Sequence, residues 1–266
     1  MSHYIHGSAP EEQQRLSLLN ALMNARCVEK IQIPTGSRIL DVGSGLGQFT
    51  HMLSQLSGTT GYCLGIERDQ RQLDYAQRFK SATVEFRAGD AMNLPLTEAE
   101  AGTFDIVHAR FLLEHLSDPF QAIQQMKKAL RPGGKIILAD DDHQAMILFP
   151  IPDGFENLWA AYMDVYIQAG NDPFIGRKLP KMLVDAGFNS VRNDTAFFGD
   201  FAGTKTFDDF SLNLIEVIGT ARELMFENEL ISENAYQAAM DSLKKWTQSN
   251  QATIWYQLCF AYGTNP

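Results

Sequence analysis

Three acidic or glycine-rich stretches stand where a parallel sheet would present them to a ligand. The first is Gly43-Ser44-Gly45-Leu46-Gly47, which follows the apolar run Ile39–Val42. Glycine at such a turn permits positive φ and lets a ligand approach the backbone, although a bare strand-to-helix turn asks for the same residues. The second is Gly65-Ile66-Glu67, with Glu67 twenty residues beyond Gly47 (67 − 47). A carboxylate there can accept both hydroxyls of a ribose; otherwise it is a solvated charge. The third is Ala88-Gly89-Asp90-Ala91. Asp90 can accept from an adenine amino group beside the Ala91 backbone N–H, or it can cap its own turn. Together the three describe a site for an adenosine-type ligand.

Candidate bases lie further along. His143 follows Asp140-Asp141-Asp142, and a member of that acidic run can steer a cationic partner or simply be solvated. His115 sits in Leu112-Leu113-Glu114-His115-Leu116, and His6, with Tyr4, in an N-terminal segment that either folds over a ligand or remains a tail. Trp159, Tyr162, Met163 and Tyr166 share one helical face, and that face is either core or the wall of an apolar pocket. Phe149 and Phe155, and Met225 and Phe226 on a later helix, can extend such a wall.

The elements that must position these residues alternate. Arg38–Val42, Tyr62–Ile66, Thr83–Arg87, Phe104–Ala109 and Lys135–Ala139 read as strands, separated by helical patterns over Gly47–Leu56, Asp69–Phe79 and Pro119–Leu130. That alternation predicts a doubly wound parallel α/β sheet with helices on both faces. Helical periodicity also covers Glu12–Glu29, Gly176–Ala186 and most of 206–248, whereas 141–174 is aromatic without a clear strand. Ser190–Phe198 and Ala252–Tyr262 read as further strands. The expected organisation is one domain over residues 1–266: a helical cap (1–36), a ligand-binding core (37–142), helical lid insertions (143–175 and 206–248), and sheet-completing segments (176–205 and 249–266).

With 266 residues, 45% hydrophobic and 20% charged, the chain is long enough to bury a large core. A net charge of −10 argues against a nucleic-acid surface, because Lys127-Lys128 and Lys244-Lys245 are isolated pairs; it suits a cationic or neutral small molecule. Cys27, Cys63 and Cys259 are widely spaced with no CxxC pair, which suggests neither a disulfide framework nor zinc. No apolar signal core or membrane-length run is present, so a cytoplasmic location without membrane association is expected. Because no His/Asp/Glu cluster has ligand spacing along the chain, no metal is expected. Nothing in the sequence sets an oligomeric state.

DVGSGLG, GIERD, AGDAMNLP, FDIVHARFLLEHLSDP and LRPGGKIILADDD, in this order and spacing, resemble the motif series of class I S-adenosylmethionine-dependent methyltransferases. The likeness runs from about Arg38 to Asp142. A weaker one, over Gly170–Phe188, is to a subgroup acting on small molecules. The resemblance implies a Rossmann-like, seven-stranded mixed sheet whose last strand inserts antiparallel beside the fifth. It assigns the methionine and ribose portions of the cofactor to Gly43, Gly45 and Gly47, with Asp41 orienting that loop. Glu67 takes the ribose hydroxyls, Arg68 stacks beside adenine, and Gly89, Asp90 and Ala91 read its edge. Ala109 and Arg110 fall near the methionine end, and Gln48, where many relatives have a small residue, is expected to touch the ligand.

The implied activity is methyl transfer to a small-molecule acceptor, oxygen or nitrogen before carbon, with S-adenosylhomocysteine as the other product. His143, Trp159 and Tyr162 are the candidate acceptor contacts. Two alternatives stay open: a nicotinamide-dinucleotide oxidoreductase, whose loop would want GxGxxG rather than this GxGxG, and a cofactor-binding module without catalysis.

Overall fold

A computed structural model describes residues 10–266 of the chain. The elements in order are α1 (Pro10–Glu29), β1 (Arg38–Val42), α2 (Gln48–Ser57), β2 (Tyr62–Glu67), α3 (Gln70–Ala76), β3 (Val84–Ala88), β4 (Phe104–Arg110), α4 (Pro119–Ala129) and β5 (Leu130–Asp141). After these come β6 (Ile147–Phe149), α5 (Phe155–Gln168), α6 (Ile175–Asp185), β7 (Asn189–Phe201), α7 (Lys205–Thr220), α8 (Arg222–Glu227), α9 (Glu233–Trp246) and β8 (Thr253–Thr264).

The strands form one mixed sheet in which β3, β2, β1, β4 and β5 run parallel and β8 follows antiparallel to β5. β7 pairs along nearly the whole of β8, so β5 and β6 share the opposite edge of that strand. The expected insertion of the last strand beside the fifth is observed. The sheet has an eighth strand where seven were expected: the three-residue β6 extends the β5 position along β8. Three residues ending at Phe149-Pro150 are too few to show a period of two, which is why 141–174 reads as strandless in the sequence.

Strand alternation divides the core in two. Ile39, Ile106 and Ile137 face α1, α2, α5 and α7–α9, whereas Leu40, Val42, Val107, Ile136 and Leu138 face α4 and α6. Strands covered on both faces carry apolar residues at nearly every position. α4 shows how a helix is bounded locally: the Asp118 carboxylate accepts from Gln121 N, Pro119 occupies the first turn, and Lys127 and Lys128 lie in the last. Its Ala122, Ile123, Met126 and Ala129 are fully buried.

The polar interior positions extend the same alternation. Asp41, His108, Arg110 and Asp141 all project to the face of Ile39, Ile106 and Ile137, beyond the last apolar residue of each strand. The loop after β3, which carries Asp90, is tied down by Arg87. Its guanidinium donates to Pro95 O (2.9 Å) and to both oxygens of Glu100 (2.8 and 3.0 Å), and Glu100 also accepts from Thr97 N.

Two stability outcomes are expected. A Cβ at Gly47, where φ is 77°, would lie 2.8 Å from both Ala76 Cβ and the Phe86 ring. Gly47→Ala should therefore cost about 1–3 kcal/mol, measurable by urea unfolding. The Arg87 pair, the first cause, holds Glu100 down to about 2 from an ordinary value of 4.5. A carboxyl depressed in the folded state stabilises above its unfolded value, and that contribution is lost as the pH falls from about 4.5 toward 2. Glu100→Gln should lower the melting temperature at neutral pH and flatten the acid limb of the stability curve.

Candidate active site

The carboxyl ends of the parallel strands open into a cavity of about 500 Å³. Gly43, Ser44 and Gly45 line one side of it, Glu67 and Arg68 the next, and Gly89, Asp90 and Ala91 the far end. Gly43 and Gly45 both have positive φ (73° and 54°), which turns the loop over the mouth of β1. Glu67 holds that loop: one carboxylate oxygen accepts from Gly45 N (2.9 Å) and the other from Asp69 N (2.8 Å). Burial raises its carboxyl, and the backbone N–H groups of Asp69, Gly45 and Arg68 oppose that rise. With three backbone N–H groups on about four lone-pair sites, the carboxylate keeps capacity for a ligand hydroxyl. Asp90 caps its own turn through Met92 N (2.8 Å) and lines the cavity as well, so its two sequence readings coexist.

The middle of the cavity is organised by Asp41. Its buried carboxylate meets His108 Nδ1 (2.7 Å) and accepts from Thr50 Oγ1 (2.5 Å), joining β1, β4 and α2. Arg110 donates from Nη2 to Asn20 and Asn24 (2.7 and 2.8 Å) and lies over the Phe49 ring at 4.2 Å. Residues four apart share a helix face, so α1 presents both amides to this one guanidinium. Ser44 Oγ, His108 Nε2 and Arg110 Nη1 are buried polar atoms of the cavity wall with no hydrogen-bond partner among the described residues. A buried polar group without a partner is costly, so each marks a place for a ligand atom or a water.

The other end is an aromatic and acidic chamber. Asp140 accepts from Leu112 N and Leu113 N (3.3 and 2.8 Å) and so holds the turn after β4, in which Phe111 takes a positive φ of 51°. That turn delivers Glu114 to the interior. His143 Nε2 lies 3.1 Å from Glu114 Oε2 and 3.8 Å from Asp141 Oδ2, and His115 Nε2 lies 3.4 Å from Glu114 Oε1. The His143 ring stacks on Trp159 and Tyr162 (centroids 5.5 and 5.6 Å) and meets the edge of Tyr166. Trp159 Nε1 donates to His143 O (2.8 Å). Tyr256, on β8, donates its hydroxyl to Asp141.

Burial pushes Glu114 up to about 8 and Asp141 up to about 7, the first reinforced by Asp172 and the second by Glu114. Burial likewise drives Asp140 well up and His143 down. No Lys or Arg forms an ion pair with Glu114, Asp140 or Asp141 among the described residues; Arg177 engages Asp142 instead.

Most of the expected site residues meet at this cavity: Asp41, Gly43, Gly45, Glu67, Arg68, Gly89, Asp90, Ala91, Arg110, His115, His143, Trp159 and Tyr162. Three do not line it. Gly47 packs against Ala76 and Phe86. Gln48 begins α2 outside the lining. Ala109 alternates with His108 and Arg110 and so faces the α4 side of the sheet. Phe149 is exposed, Met225 is core, and neither Phe155 nor Phe226 reaches the cavity. His6 falls outside the described residues. The expectation of no metal rested on spacing along the chain, and folding overturns that premise: single ligand atoms of Glu114, Asp141 and His143 lie within 4.8 Å of one another.

The sequence reading missed His108, Glu114 and Tyr256. Strand alternation back from Arg110 was a signal for the first. Glu114 adjoins the His115 that was chosen. Tyr256 arrives by a long-range pairing with no local sign.

A model of the methyltransferase domain family matches residues 33–187, and the chain belongs to that family. That membership agrees with the motif series, and the dinucleotide alternative is set aside. It is 29% identical to a demethylmenaquinone methyltransferase of Staphylococcus aureus over 63% of this chain and 74% of that one. It is 28% identical to an arsenite methyltransferase of Aquipseudomonas alcaligenes over 61% of this chain, and the match spans about half (52%) of that relative's length. In structure it resembles the Haemonchus contortus phosphoethanolamine N-methyltransferase 2 complex with S-adenosylhomocysteine, with a TM-score of 0.52 at 20% identity, over 95% of this chain and 53% of that one. Among the described residues no helix is long and apolar enough to cross a membrane.

Glu67→Ala should weaken S-adenosylhomocysteine binding by about 1–3 kcal/mol in isothermal titration, the scale of hydrogen bonds to a charged group. Unchanged affinity would remove Glu67 from the site.

Proposed function

We propose that this chain transfers a methyl group from S-adenosylmethionine to an oxygen or nitrogen of a small molecule by in-line displacement. The observation that carries the reading is one continuous cavity with two unlike ends: glycine loop, Glu67 and Asp90 at one, the Glu114–His143 aromatic chamber at the other. The cofactor's sulfonium supplies the leaving group and the electrophilic carbon.

The chain's residues supply place and direction. Glu67 and Asp90 offer acceptors to ribose hydroxyls and an adenine amino group. Arg110 Nη1 and Ser44 Oγ, both buried and lacking a partner among the described residues, suit the carboxylate and ammonium of a methionine-like tail. α1, α5 and α7 act as the lid, through Leu19 and Asn20, Trp159, Tyr162 and Tyr166, and Phe210 and Leu214. Holding the acceptor against the methyl carbon with bulk water excluded is the main contribution, worth up to roughly 7–11 kcal/mol. A nucleophile that must lose a proton finds His143 held in one orientation by Glu114 and by its stack. Burial depresses His143, which keeps its imidazole neutral and able to accept. The net charge of −10 supports a small-molecule partner over nucleic acid, and three free cysteines support action in a reducing compartment.

Incubating the protein with methyl-labelled S-adenosylmethionine and fractionated small-molecule extract should give a labelled product. Binding without any product would leave a non-catalytic module. In the same assay His143→Ala should keep cofactor affinity while lowering kcat by about 10²-fold or more, the usual scale for a lost base. Full activity would return His143 to a structural role.

A further inference from the structure

The chamber around Glu114 is built for positive charge that the protein itself does not provide. Glu114 and Asp140 are almost completely buried, at 3% and 1% exposure, and Asp141 lies beside them with its side chain 16% exposed. Two of these carboxyls, Glu114 and Asp141, meet one imidazole there, that of His143. Of the two guanidiniums lining the cavity, Arg68 follows Glu67, and Arg110 stands in the middle, where it engages Asn20, Asn24 and the face of Phe49 and keeps Nη1 for the cofactor's carboxylate. Asp140 already accepts two backbone N–H groups. Glu114 and Asp141 therefore remain as the acceptors facing the chamber, both lining it.

Two further observations point to the kind of ligand. The chamber is lined by aromatic rings as well as acids: Trp159 and Tyr162 lie near parallel with centroids 4.8 Å apart, and Tyr166 adjoins Tyr162. Aromatic faces attract a cation most strongly where water is excluded. His143 Nδ1, on a side chain 5% exposed, has no partner among the described residues, so the ring has hydrogen-bonding capacity left over inside the chamber wall. An anionic acceptor would meet two carboxyls and no counter-charge. A neutral alcohol would satisfy the acids but gain nothing from the aromatic panel beyond burial.

Building on the methyltransferase reading, we infer that the acceptor is an amine, admitted as its ammonium, seated between the Trp159–Tyr162–Tyr166 wall and the carboxylates of Glu114 and Asp141, and methylated on nitrogen. The step balances as follows. One proton passes from the ammonium to the His143 imidazole, the base of the proposed transfer, and leaves a neutral nitrogen with its lone pair. That pair forms the new N–C bond as the C–S bond breaks, its electrons returning to sulfur. The products are neutral S-adenosylhomocysteine and a methylated ammonium, and His143 later releases its proton to solvent. The charge entering with the ammonium matches the charge leaving with the product, so the buried acids face a cation before and after the transfer.

The test is isothermal titration of the full chain saturated with S-adenosylhomocysteine. The probes are 2-phenylethylamine and n-hexylamine, against 2-phenylethanol, 1-hexanol, phenylacetate and hexanoate. At least one amine should bind roughly tenfold or more tightly than its matched alcohol and carboxylate, the scale of a desolvated cation–aromatic contact. Asp141→Asn and Glu114→Gln should each remove most of that preference while leaving S-adenosylhomocysteine affinity within about twofold, a readout that also certifies the fold. If either variant loses S-adenosylhomocysteine binding, the other decides. Equal or tighter binding of the alcohols or carboxylates would overturn the inference, as would failure of both amines on protein that binds S-adenosylhomocysteine, or an undiminished preference in the variants. Failure of wild-type protein to bind S-adenosylhomocysteine would instead remove the methyltransferase reading, and this inference with it.

Discussion

Register between β1 and β4 fixes nearly everything that happens at the sheet's carboxyl edge. Asp41 stands directly opposite His108, and the two side chains meet at 2.7 Å inside the protein. A slip of one residue would send His108 into the packed layer under α4 and bring Val107 to the cavity, because successive side chains point to opposite faces. The Asp41 carboxylate also holds Thr50 at the start of α2. A single buried acid thus fixes two strands and the helix that follows the glycine loop. Arg110, two residues beyond His108, inherits its direction from the same register and ties α1 to the sheet through Asn20 and Asn24.

The turns beyond the strands are held by a repeated device, a carboxylate that accepts backbone N–H groups. Glu67 does this for the glycine loop, Asp90 for its own turn, Asp140 for the segment that presents Glu114, and Asp142 for the short turn that starts at His143. Irregular backbone beside a cavity cannot satisfy its own donors, and side-chain acceptors fill the gap. The same device lets a loop be shaped without bulky side chains, which leaves the cavity open. Its cost is buried charge, and the raised carboxyls of Glu67 and Asp140 are where that cost is visible.

What was legible in the sequence follows the range of the interactions involved. The glycine loop, Glu67 and Asp90 each depend on a few adjacent residues at a strand end, so their types and spacing announced them. The alternation of strands and helices was equally local. The chamber was not, because Glu114, the Asp141–His143 stretch, Trp159 and Tyr256 come from four segments that only the sheet order brings together. His143 was picked out by its place after the acidic run Asp140–Asp142, and Trp159 by the helical face it shares with Tyr162 and Tyr166. Ala109 and Gln48 were assigned by position in a motif, and alternation in β4 and the start of α2 carry them elsewhere. Gly47 illustrates a different ambiguity: a glycine demanded by a close neighbour and a glycine demanded by a ligand look the same in one dimension.

Tyr256 belongs to β8, which lies between β5 and β7, so the hydroxyl that engages Asp141 is made long after the strand it reaches. Everything that shapes the nucleoside end is made by about Asp90, more than 160 residues earlier (256 − 90 = 166). During synthesis the two halves of the cavity therefore mature at different times. A nascent polypeptide can close its glycine loop long before its aromatic and acidic chamber is complete, which must await β8 taking its place between β5 and β7.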